Sequence, residues 1–332
     1  MTESTPDKIL QISTGYWASG ILASAAKFKI FDYLDSEPLS AGEIAEKAGI
    51  SPRGAQAVLD GLLGLQLVHM NEHGYCNAAD ASEFLVTGKQ RYLGGYAQVG
   101  TLEMARWVEF SDSVQSGKPY QAQSFYEVKD LVLWEALVTA IAPLAFPPAQ
   151  ASAKHLDLGS KDSFHMLDVG GGAGVYSAVW LGENKAAKST QFDWGNVNSI
   201  ARKFVANFGV GDRFETRDGN LLEDDFGDSL YDFAVFSHMA HGLSENQNRE
   251  ALKKFRKAIK PGGTLVLADF VLDEKRQGHP MVLLFFANML SSTAGGQTYR
   301  DVDYRLWFQE AGFESVEIQS LDPLPVTLIY GS

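Results

Sequence analysis

The stretch FSHMAHGLSENQ carries two of the seven histidines of this 332-residue chain, His238 and His241. The apolar run YDFAVF predicts a strand, and the capping pair Ser244 and Gln247 predicts the start of the next helix. Both histidines therefore fall in the loop at the carboxyl end of a strand, where open α/β sheets bind their ligands. A histidine there can act as a general base near neutral pH; the alternative is a loop histidine without a chemical role.

A glycine-rich loop also predicts ligand binding. The sequence predicts a strand over Met166–Val169, a tight loop over Gly170–Gly174 and a helix over Val175–Leu181. Glycine lets a ligand approach the backbone closely, and the helix start offers free N–H groups, although a plain structural turn is the alternative. Val175 stands where a dinucleotide fingerprint needs glycine. Asp168, just before the loop, suits a cation or an amino group, so a nicotinamide dehydrogenase is disfavoured.

Two more carboxylates end predicted strands. STQFDWGNV predicts a short strand that ends in Asp193, where a carboxylate can accept hydrogen bonds from ribose hydroxyls. RFETRD predicts the next strand, and we expect Asp218 at its end to face an adenine amino group. A solvated strand-end carboxylate is the alternative for Asp193. Together with Asp168, these positions predict a nucleoside-type cofactor at three successive strand ends.

Two regions must position these residues. From about residue 163, apolar runs alternate with amphipathic helical patterns, which predicts an α/β fold with a Rossmann-like, doubly wound, mostly parallel sheet. Residues 1–100 predict a mostly helical, winged-helix-like domain with the order helix, turn, helix and hairpin, in which Ser40 and Ser51 are the expected helix caps. Residues 101–332 predict linking helices plus the catalytic domain. We also expect one long helix over Asp7–Ala26 and a helix break at the pair Pro147 and Pro148.

Composition excludes several classes of protein. The net charge is −13, and residues 1–100 hold 7 basic against 11 acidic residues, so we expect no nucleic-acid partner despite the winged-helix-like pattern. The single cysteine, Cys76, allows no intrachain disulfide and no cysteine-rich metal site, and we expect no metal. The start MTESTPDK lacks the pattern of a signal peptide, and the apolar run Met281–Leu290 is too short to span a membrane. A cytoplasmic protein without a membrane partner is predicted.

The chain resembles the S-adenosylmethionine-dependent O-methyltransferases of the plant and bacterial small-molecule type. DVGGGAG, FDW and RDGN match the cofactor motifs of that family in order and spacing. The resemblance implies a class I methyltransferase fold, S-adenosylmethionine as cofactor with S-adenosylhomocysteine as product, and a homodimer formed through the N-terminal domain. The cofactor-binding residues that we expect are Asp168, Gly170, Gly172, Gly174, Asp193, Trp194, Asp218, Gly219, Ser237 and His238.

The same resemblance implies catalytic roles. His241 aligns with the histidine that removes the proton of the acceptor hydroxyl in that family, although Gly242 and Leu243 replace the Asp and Trp that usually follow. Asp269, at the end of the strand TLVLADF, fits the first of two acidic residues beside the base, and Thr298 stands at the place of the second. We therefore expect His241 to be the general base, oriented by Asp269.

Aromatic and apolar side chains predict where the acceptor binds and its chemical class. The expected substrate residues are Trp107, Phe146, Phe285, Asn288 and Met289. A cavity of this kind suits a flat phenolic or polyketide-like molecule. Two alternatives remain: a family member that performs N- or C-methylation or non-methylating chemistry, and a ligand-sensing transcriptional regulator.

Overall fold

The computed structural model describes residues 4–120 and 131–332. The chain divides into two compact units, Met1–Ala105 with Thr139–Pro143, and Arg106–Val138 with Leu144–Ser332. The segment 139–143 thus belongs to the first unit.

The first unit is mostly helical, and its elements follow the predicted order of helix, turn, helix and hairpin. They are α1 (Asp7–Ser13), α2 (Gly15–Lys27), α3 (Ile30–Tyr33), α4 (Ala41–Ala48), α5 (Pro52–Gly64), β1 (Val68–Asn71), β2 (Gly74–Asn77), α6 (Ala79–Phe84) and α7 (Gly94–Leu102). Strands β1 and β2 pair as an antiparallel hairpin.

Side-chain caps start α4 and α5, as the sequence predicted. The Ser40 hydroxyl accepts the backbone N–H of Glu43, whose carboxylate accepts the N–H of Ser40 in return. The Ser51 hydroxyl accepts the N–H of Gly54 at 3.0 Å. Such caps satisfy backbone donors that have no partner within the helix, each contributing about 1 kcal/mol. Local sequence therefore sets where both helices begin.

The prediction of one helix over Asp7–Ala26 was wrong. The chain breaks at Thr14, between α1 and α2, where φ is −104° and ψ is 6°. The Thr14 hydroxyl donates to the Leu10 carbonyl at 2.9 Å, and Gly15 follows; both residues favour the end of a helical turn. The first of the two helices buries no residue within this chain.

The second unit is built around a seven-stranded sheet. The elements from the first unit to the carboxyl terminus are α8 (Met104–Val108), α9 (Phe110–Ser116), α10 (Leu131–His155), β3 (His165–Val169), α11 (Val175–Glu183), β4 (Lys188–Asp193), α12 (Gly195–Ala206), β5 (Phe214–Asp218), β6 (Tyr231–Ser237), α13 (Glu245–Ala258), β7 (Ile259–Asp269), α14 (Pro280–Ser292), α15 (Asp301–Glu310), β8 (Val316–Ser320) and β9 (Thr327–Gly331).

The strand order is β5-β4-β3-β6-β7-β9-β8, with β3 to β7 parallel and β9 antiparallel to both of its neighbours. This confirms the predicted Rossmann-like, mostly parallel α/β fold. The order reverses at β3, because the chain first adds β4 and β5 on one side and then β6 and β7 on the other. Ligands of such sheets bind at the carboxyl ends of the strands beside this reversal.

The two proline residues 147 and 148 do not end α10, contrary to the prediction. Proline removes a helical hydrogen bond and crowds the preceding turn. Here the following turn is held by the core, because Ala149 is fully buried and its carbonyl accepts the Trp180 indole N–H at 3.1 Å. Among the described residues one helical stretch, Trp134–His155, is long and apolar enough to cross a membrane, a test that the core helix of a soluble protein also passes.

Candidate active site

The loop between β3 and α11 has a left-handed backbone at three glycines. The φ angles are +66° at Gly170, +58° at Gly172 and +81° at Gly174. At Gly174 a Cβ atom would lie 2.7 Å from Cγ2 of Val205, so glycine is needed there for space as well as for conformation. The strand, loop and helix predicted for this stretch are confirmed.

Asp193 ends β4 and faces this loop. Its Oδ2 accepts the N–H of Gly172 at 3.0 Å, and its Oδ1 accepts the N–H of Trp194 at 2.7 Å. Burial raises the pKa of Asp193 to about 7, against the effect of these two hydrogen bonds, and the nearby Asp168 adds to the rise. Donors on a ligand would stabilise the charged form of this carboxylate.

Asp168 lies inside the sheet, one residue before the end of β3. Its Oδ2 accepts the hydroxyl of Ser177 at 2.8 Å, whereas its buried Oδ1 has no hydrogen-bond partner among the described residues. A Cβ atom on Gly171 would lie 2.9 Å from that oxygen. Burial raises the pKa of Asp168 to about 6. An oxygen of this kind beside a glycine loop is suited to accept a ligand donor such as an amino group.

Two buried amides that the sequence did not single out connect the loop to β4 and β5. Gln191 donates to the Gly172 carbonyl at 3.1 Å and to the Asn198 side-chain oxygen at 3.2 Å. The Asn198 amide group lies 3.0 Å from the Asp193 carbonyl and 2.8 Å from the Asp218 carboxylate. Both side chains are fully buried. Their local sequence is that of an ordinary strand and an ordinary helix, so no signal in it reveals this role.

The other residues predicted for the cofactor lie at the same edge of the sheet. Trp194 precedes α12, and its ring meets that of Trp134 edge to face at 5.4 Å. Gly219 donates its N–H to the Asp193 carbonyl at 3.0 Å, which ties the ends of β4 and β5 together. Ser237 ends β6, opposite Ala268 in the register of β7.

His241 and Asp269 form a buried pair at the ends of β6 and β7. The distance between His241 Nδ1 and Asp269 Oδ1 is 2.6 Å, and the His241 backbone N–H donates to Oδ2 at 3.0 Å. Asp269 is completely buried, and its Oδ1 also accepts the N–H of Phe270 at 2.7 Å. The pair forms because His241 sits in a short 3-10 turn, Ala240–Gly242, just beyond β6.

The charge state of Asp269 decides the tautomer of His241. Burial alone would raise the pKa of Asp269, but the two imidazoles together with the hydrogen bonds from His241 and Phe270 outweigh burial, and the pKa lies below its ordinary value. An ionised carboxylate only accepts hydrogen bonds, so Nδ1 of His241 must carry the proton. In a neutral imidazole with its proton on Nδ1, Nε2 holds the lone pair that can take a proton from another molecule.

His238 approaches the same carboxylate from the side. Its Nδ1 lies 3.9 Å from Asp269 Oδ1, and its side chain keeps 23% of its surface exposed. The backbone is left-handed at His238, with φ of +52°, and its N–H donates to the Ala268 carbonyl at 2.8 Å. Burial lowers the pKa of His238 to about 4, so this imidazole is neutral at physiological pH.

The cluster of His238, His241 and Asp269 also contains the atom types of a metal site. Two ligands of one tetrahedral zinc ion lie about 3.3 Å apart, given zinc–ligand bonds of about 2.0 Å. The separation of 2.6 Å between His241 and Asp269 is instead that of a short charge-assisted hydrogen bond. The arrangement fits proton transfer better than metal binding.

Aromatic rings enclose the two imidazoles. Phe270, which sequence reasoning missed although it directly follows Asp269, has its ring centroid 4.9 Å from that of His238 and 5.9 Å from that of His241. Phe285 of α14 meets the His241 ring edge to face at 4.8 Å. One wall of the site beside the histidines is therefore apolar and aromatic.

The structure brings some of the predicted substrate residues to this wall. Asn288 and Met289 follow Phe285 by three and four residues on α14, so they share its side of the helix. The Asn288 side-chain oxygen accepts the guanidinium of buried Arg106 at 2.7 Å, a contact that the sequence did not predict. By contrast, Phe146 packs on residues 204 and 208, and Trp107 is exposed beside residue 110.

Thr298, at the place expected for a second acidic residue, is buried. Its hydroxyl has no hydrogen-bond partner among the described residues. The carboxylate of Asp269 contacts His241 from β7, whereas position 298 supplies a hydroxyl group and no carboxylate.

The fold and this sheet edge define a class I methyltransferase, and comparison with known proteins identifies the family. Residues 155–314 match the O-methyltransferase domain family, and residues 10–88 match the O-methyltransferase dimerisation domain family. The chain belongs to the S-adenosylmethionine-dependent O-methyltransferases and is an enzyme of that kind. This assignment removes the dehydrogenase interpretation.

Similar proteins extend over nearly the whole chain. The 8-O-methyltransferase of tetracenomycin polyketide synthesis, TcmO of Streptomyces glaucescens, is 27% identical and covers 98% of this chain and 96% of its own length. The 3-hydroxy-5-methyl-1-naphthoate 3-O-methyltransferase of Streptomyces sahachiroi is 27% identical, with coverage of 94% and 90%. Human N-acetylserotonin methyltransferase, solved with S-adenosylmethionine, matches with a TM-score of 0.87 at 22% identity and coverage of 99% and 98%.

Proposed function

We propose that this enzyme methylates a hydroxyl group of an aromatic small molecule, with His241 as the general base. The observation that carries the proposal is the hydrogen bond of 2.6 Å between His241 and the buried Asp269, at the sheet edge that also holds the glycine loop. Two similar proteins support an aromatic acceptor, because one is the 8-O-methyltransferase of tetracenomycin polyketide synthesis and the other a hydroxynaphthoate O-methyltransferase.

The residues around the glycine loop fit S-adenosylmethionine. Oδ1 of Asp168, which has no hydrogen-bond partner in the described part of the chain, suits the amino group of the methionyl part, and Asp193 suits the ribose hydroxyls. Asp218 at the end of β5 is exposed and suits the adenine amino group. Because the bound cofactor supplies a methyl group on a sulfonium sulfur, the transfer depends largely on how the acceptor oxygen is positioned.

The proton of the acceptor is the part of the reaction that this chain handles chemically. Nε2 of His241 accepts the hydroxyl proton, and the carboxylate of Asp269 stabilises the resulting imidazolium through Nδ1. Phe270 and Phe285 keep water from the rings and offer flat surfaces to an aromatic acceptor. Asn288, fixed by Arg106, adds a polar group to the same wall.

Calorimetric titration with S-adenosylhomocysteine tests the cofactor part of the proposal. We expect micromolar binding by the wild type, loss of about a hundredfold in affinity for Asp193→Ala, and no response to NAD. Asp212→Ala, an exposed aspartate before β5, is the matched control and should bind normally. A wild type that does not bind S-adenosylhomocysteine would contradict the proposed function.

Methyl transfer to 3-hydroxy-5-methyl-1-naphthoate and to N-acetylserotonin tests the acceptor part. Transfer to oxygen, identified by mass spectrometry of the product, is the expected result for at least one of these aromatic probes. A product methylated on nitrogen or carbon would contradict O-methylation and favour the alternative chemistry within the family.

We propose further that the enzyme is a homodimer formed through its N-terminal unit. The match to a dimerisation domain over residues 10–88 supports this, as do large apolar side chains that the single chain leaves exposed. They are Ile9, Leu10, Ile12, Tyr16 and Trp17, each at least 57% exposed. Light scattering should give twice the chain mass, and Trp17→Glu should give monomers; a monomeric wild type at micromolar concentration would contradict the dimer.

A further inference from the structure

Two imidazoles converge on one oxygen of Asp269. His241 Nδ1 lies 2.6 Å and His238 Nδ1 lies 3.9 Å from Oδ1. The side chain of His238 is 23% exposed, whereas that of His241 is 7% exposed. His238 therefore has the more accessible ring of the two, although the proposed function assigns the proton transfer to His241.

We propose that His238 is a second proton acceptor, so that His238 and His241 share Asp269 and either imidazole can take the proton of the acceptor hydroxyl. This inference rests on the proposed function and adds a catalytic residue to it. In the step, the proton moves from the acceptor oxygen to an imidazole nitrogen while that oxygen forms its bond to the methyl carbon and the sulfur–carbon bond breaks. The imidazolium then releases the proton to solvent.

The backbone holds His238 in a position to perform this step. Its left-handed φ of +52° is uncommon for a residue other than glycine and turns the chain sharply at the end of β6. The hydrogen bond from its N–H to the Ala268 carbonyl extends the pairing of β6 with β7, which brings the ring beside Asp269. Phe270 then contacts the rings of both histidines.

The charges around His238 predict how its pKa responds when His241 is replaced. The ionisable groups that affect His238 are Asp269, which favours its protonated form, and His241, which opposes that form. Replacing His241 by a neutral side chain removes the opposition and frees the carboxylate to pair with His238. His238 should then be a stronger base than it is in the wild type.

Histidine titration by NMR, on protein saturated with S-adenosylhomocysteine, tests the shared carboxylate without any acceptor. The variant His238→Gln identifies the His238 signal among the seven histidines. We expect the pKa of His238 to rise by at least about one unit in His241→Gln, a tenfold gain in proton affinity. The rise should be absent in His241→Gln combined with Asp269→Asn. An unchanged pKa of His238 in His241→Gln would overturn the inference.

Single-turnover methyl transfer to the two aromatic probes tests catalysis by His238. We expect His241→Gln to lower the rate about tenfold and the double variant with His238→Gln to lower it about a hundredfold to ten-thousandfold. If His241→Gln alone is as slow as the double variant, His238 is not a base. Calorimetry with S-adenosylhomocysteine on each variant separates this failure from misfolding, and a wild type without that binding would overturn the proposed function as well.

Discussion

The cofactor side and the acceptor side of the sheet edge are built in different ways. On the proposed cofactor side, the left-handed backbone of the glycine loop sets the shape of the site, and Asp193 and Asn198 fix the neighbouring strand ends. On the acceptor side, side chains from β7, α14 and the turn after β6 meet around Asp269. A site that is shaped by backbone conformation tolerates few changes of that conformation. A site that is lined by side chains can accept a different acceptor molecule after a few substitutions.

Removing the charge of Asp269 should give the largest effect, because both imidazoles depend on it. We expect Asp269→Asn to lower the single-turnover rate about a hundredfold to a thousandfold while the affinity for S-adenosylhomocysteine stays unchanged. The exposed neighbour Glu274→Gln is the control and should keep the wild-type rate. Loss of affinity for S-adenosylhomocysteine in Asp269→Asn would show that the acceptor side also contributes to cofactor binding.

Asn198→Ala should give the reverse pattern, a cofactor defect without an acceptor defect. The substitution leaves the Asp193 carbonyl and the Asp218 carboxylate without their shared donor, at a cost of about 1–2 kcal/mol. We expect the affinity for S-adenosylhomocysteine to fall about tenfold by calorimetry, and the KM of the acceptor to stay constant. Asn207→Ala, exposed just beyond α12, should change neither quantity.

The pH dependence of cofactor binding should follow Asp193. Its pKa is raised to about 7 in the folded protein, so the carboxylate is increasingly protonated below that pH and loses its ability to accept the ribose hydroxyls. The affinity for S-adenosylhomocysteine should therefore rise about tenfold between pH 6 and pH 8. Calorimetry at both values on Asp193→Asn should give a much smaller change; an equal change in that variant would assign the effect to another group.

The same shift affects the stability of the ligand-free enzyme, with a definite sign. A carboxyl group whose pKa is raised by folding stabilises the protein below its unfolded pKa, and this contribution is lost as pH rises through the folded value of about 7. The acceptor side should behave oppositely, because the pKa of Asp269 is lowered and its contribution is lost on acidification. Because asparagine resembles a protonated carboxyl group, both variants should differ from the wild type above about pH 7, Asp193→Asn with a higher melting temperature and Asp269→Asn with a lower one.

Thr298→Val should give the smallest effect, and it tests whether the Thr298 hydroxyl belongs to the acceptor side. The buried hydroxyl lacks a partner among the described residues, so its removal should stabilise the protein by up to about 1 kcal/mol and raise the melting temperature by a few degrees. The rate should stay within about twofold. Thr293→Val is the matched control: its buried hydroxyl donates to the Met289 carbonyl and accepts the Gly296 N–H, so this change should destabilise. A rate loss in Thr298→Val would instead give that hydroxyl a role in catalysis.

The sequence predicted best where the determinants are local. The loop after β3, the caps at Ser40, Ser51 and Ser244, and the strand before the histidines each depend on a few adjacent residues, and all are present. It failed at Thr14, where the hydroxyl group and the following Gly15 end a helical turn that the apolar pattern predicted to continue. It also failed at the two prolines of α10, where a local preference competes with packing. Ala149 in the core decides the second case, and composition does not reveal it.

The sequence by itself therefore determined the class of fold, the cofactor loop and the identities of the chemically competent residues, since periodicity and glycine spacing act over short distances. Only the tertiary structure decided that His238 and His241 meet the same oxygen of Asp269, and that Gln191 and Asn198 join three segments. These contacts join residues up to 31 positions apart in sequence, and the register of the parallel strands sets their distances. Burial and neighbouring charges shift the pKa of each group only once the sheet has formed.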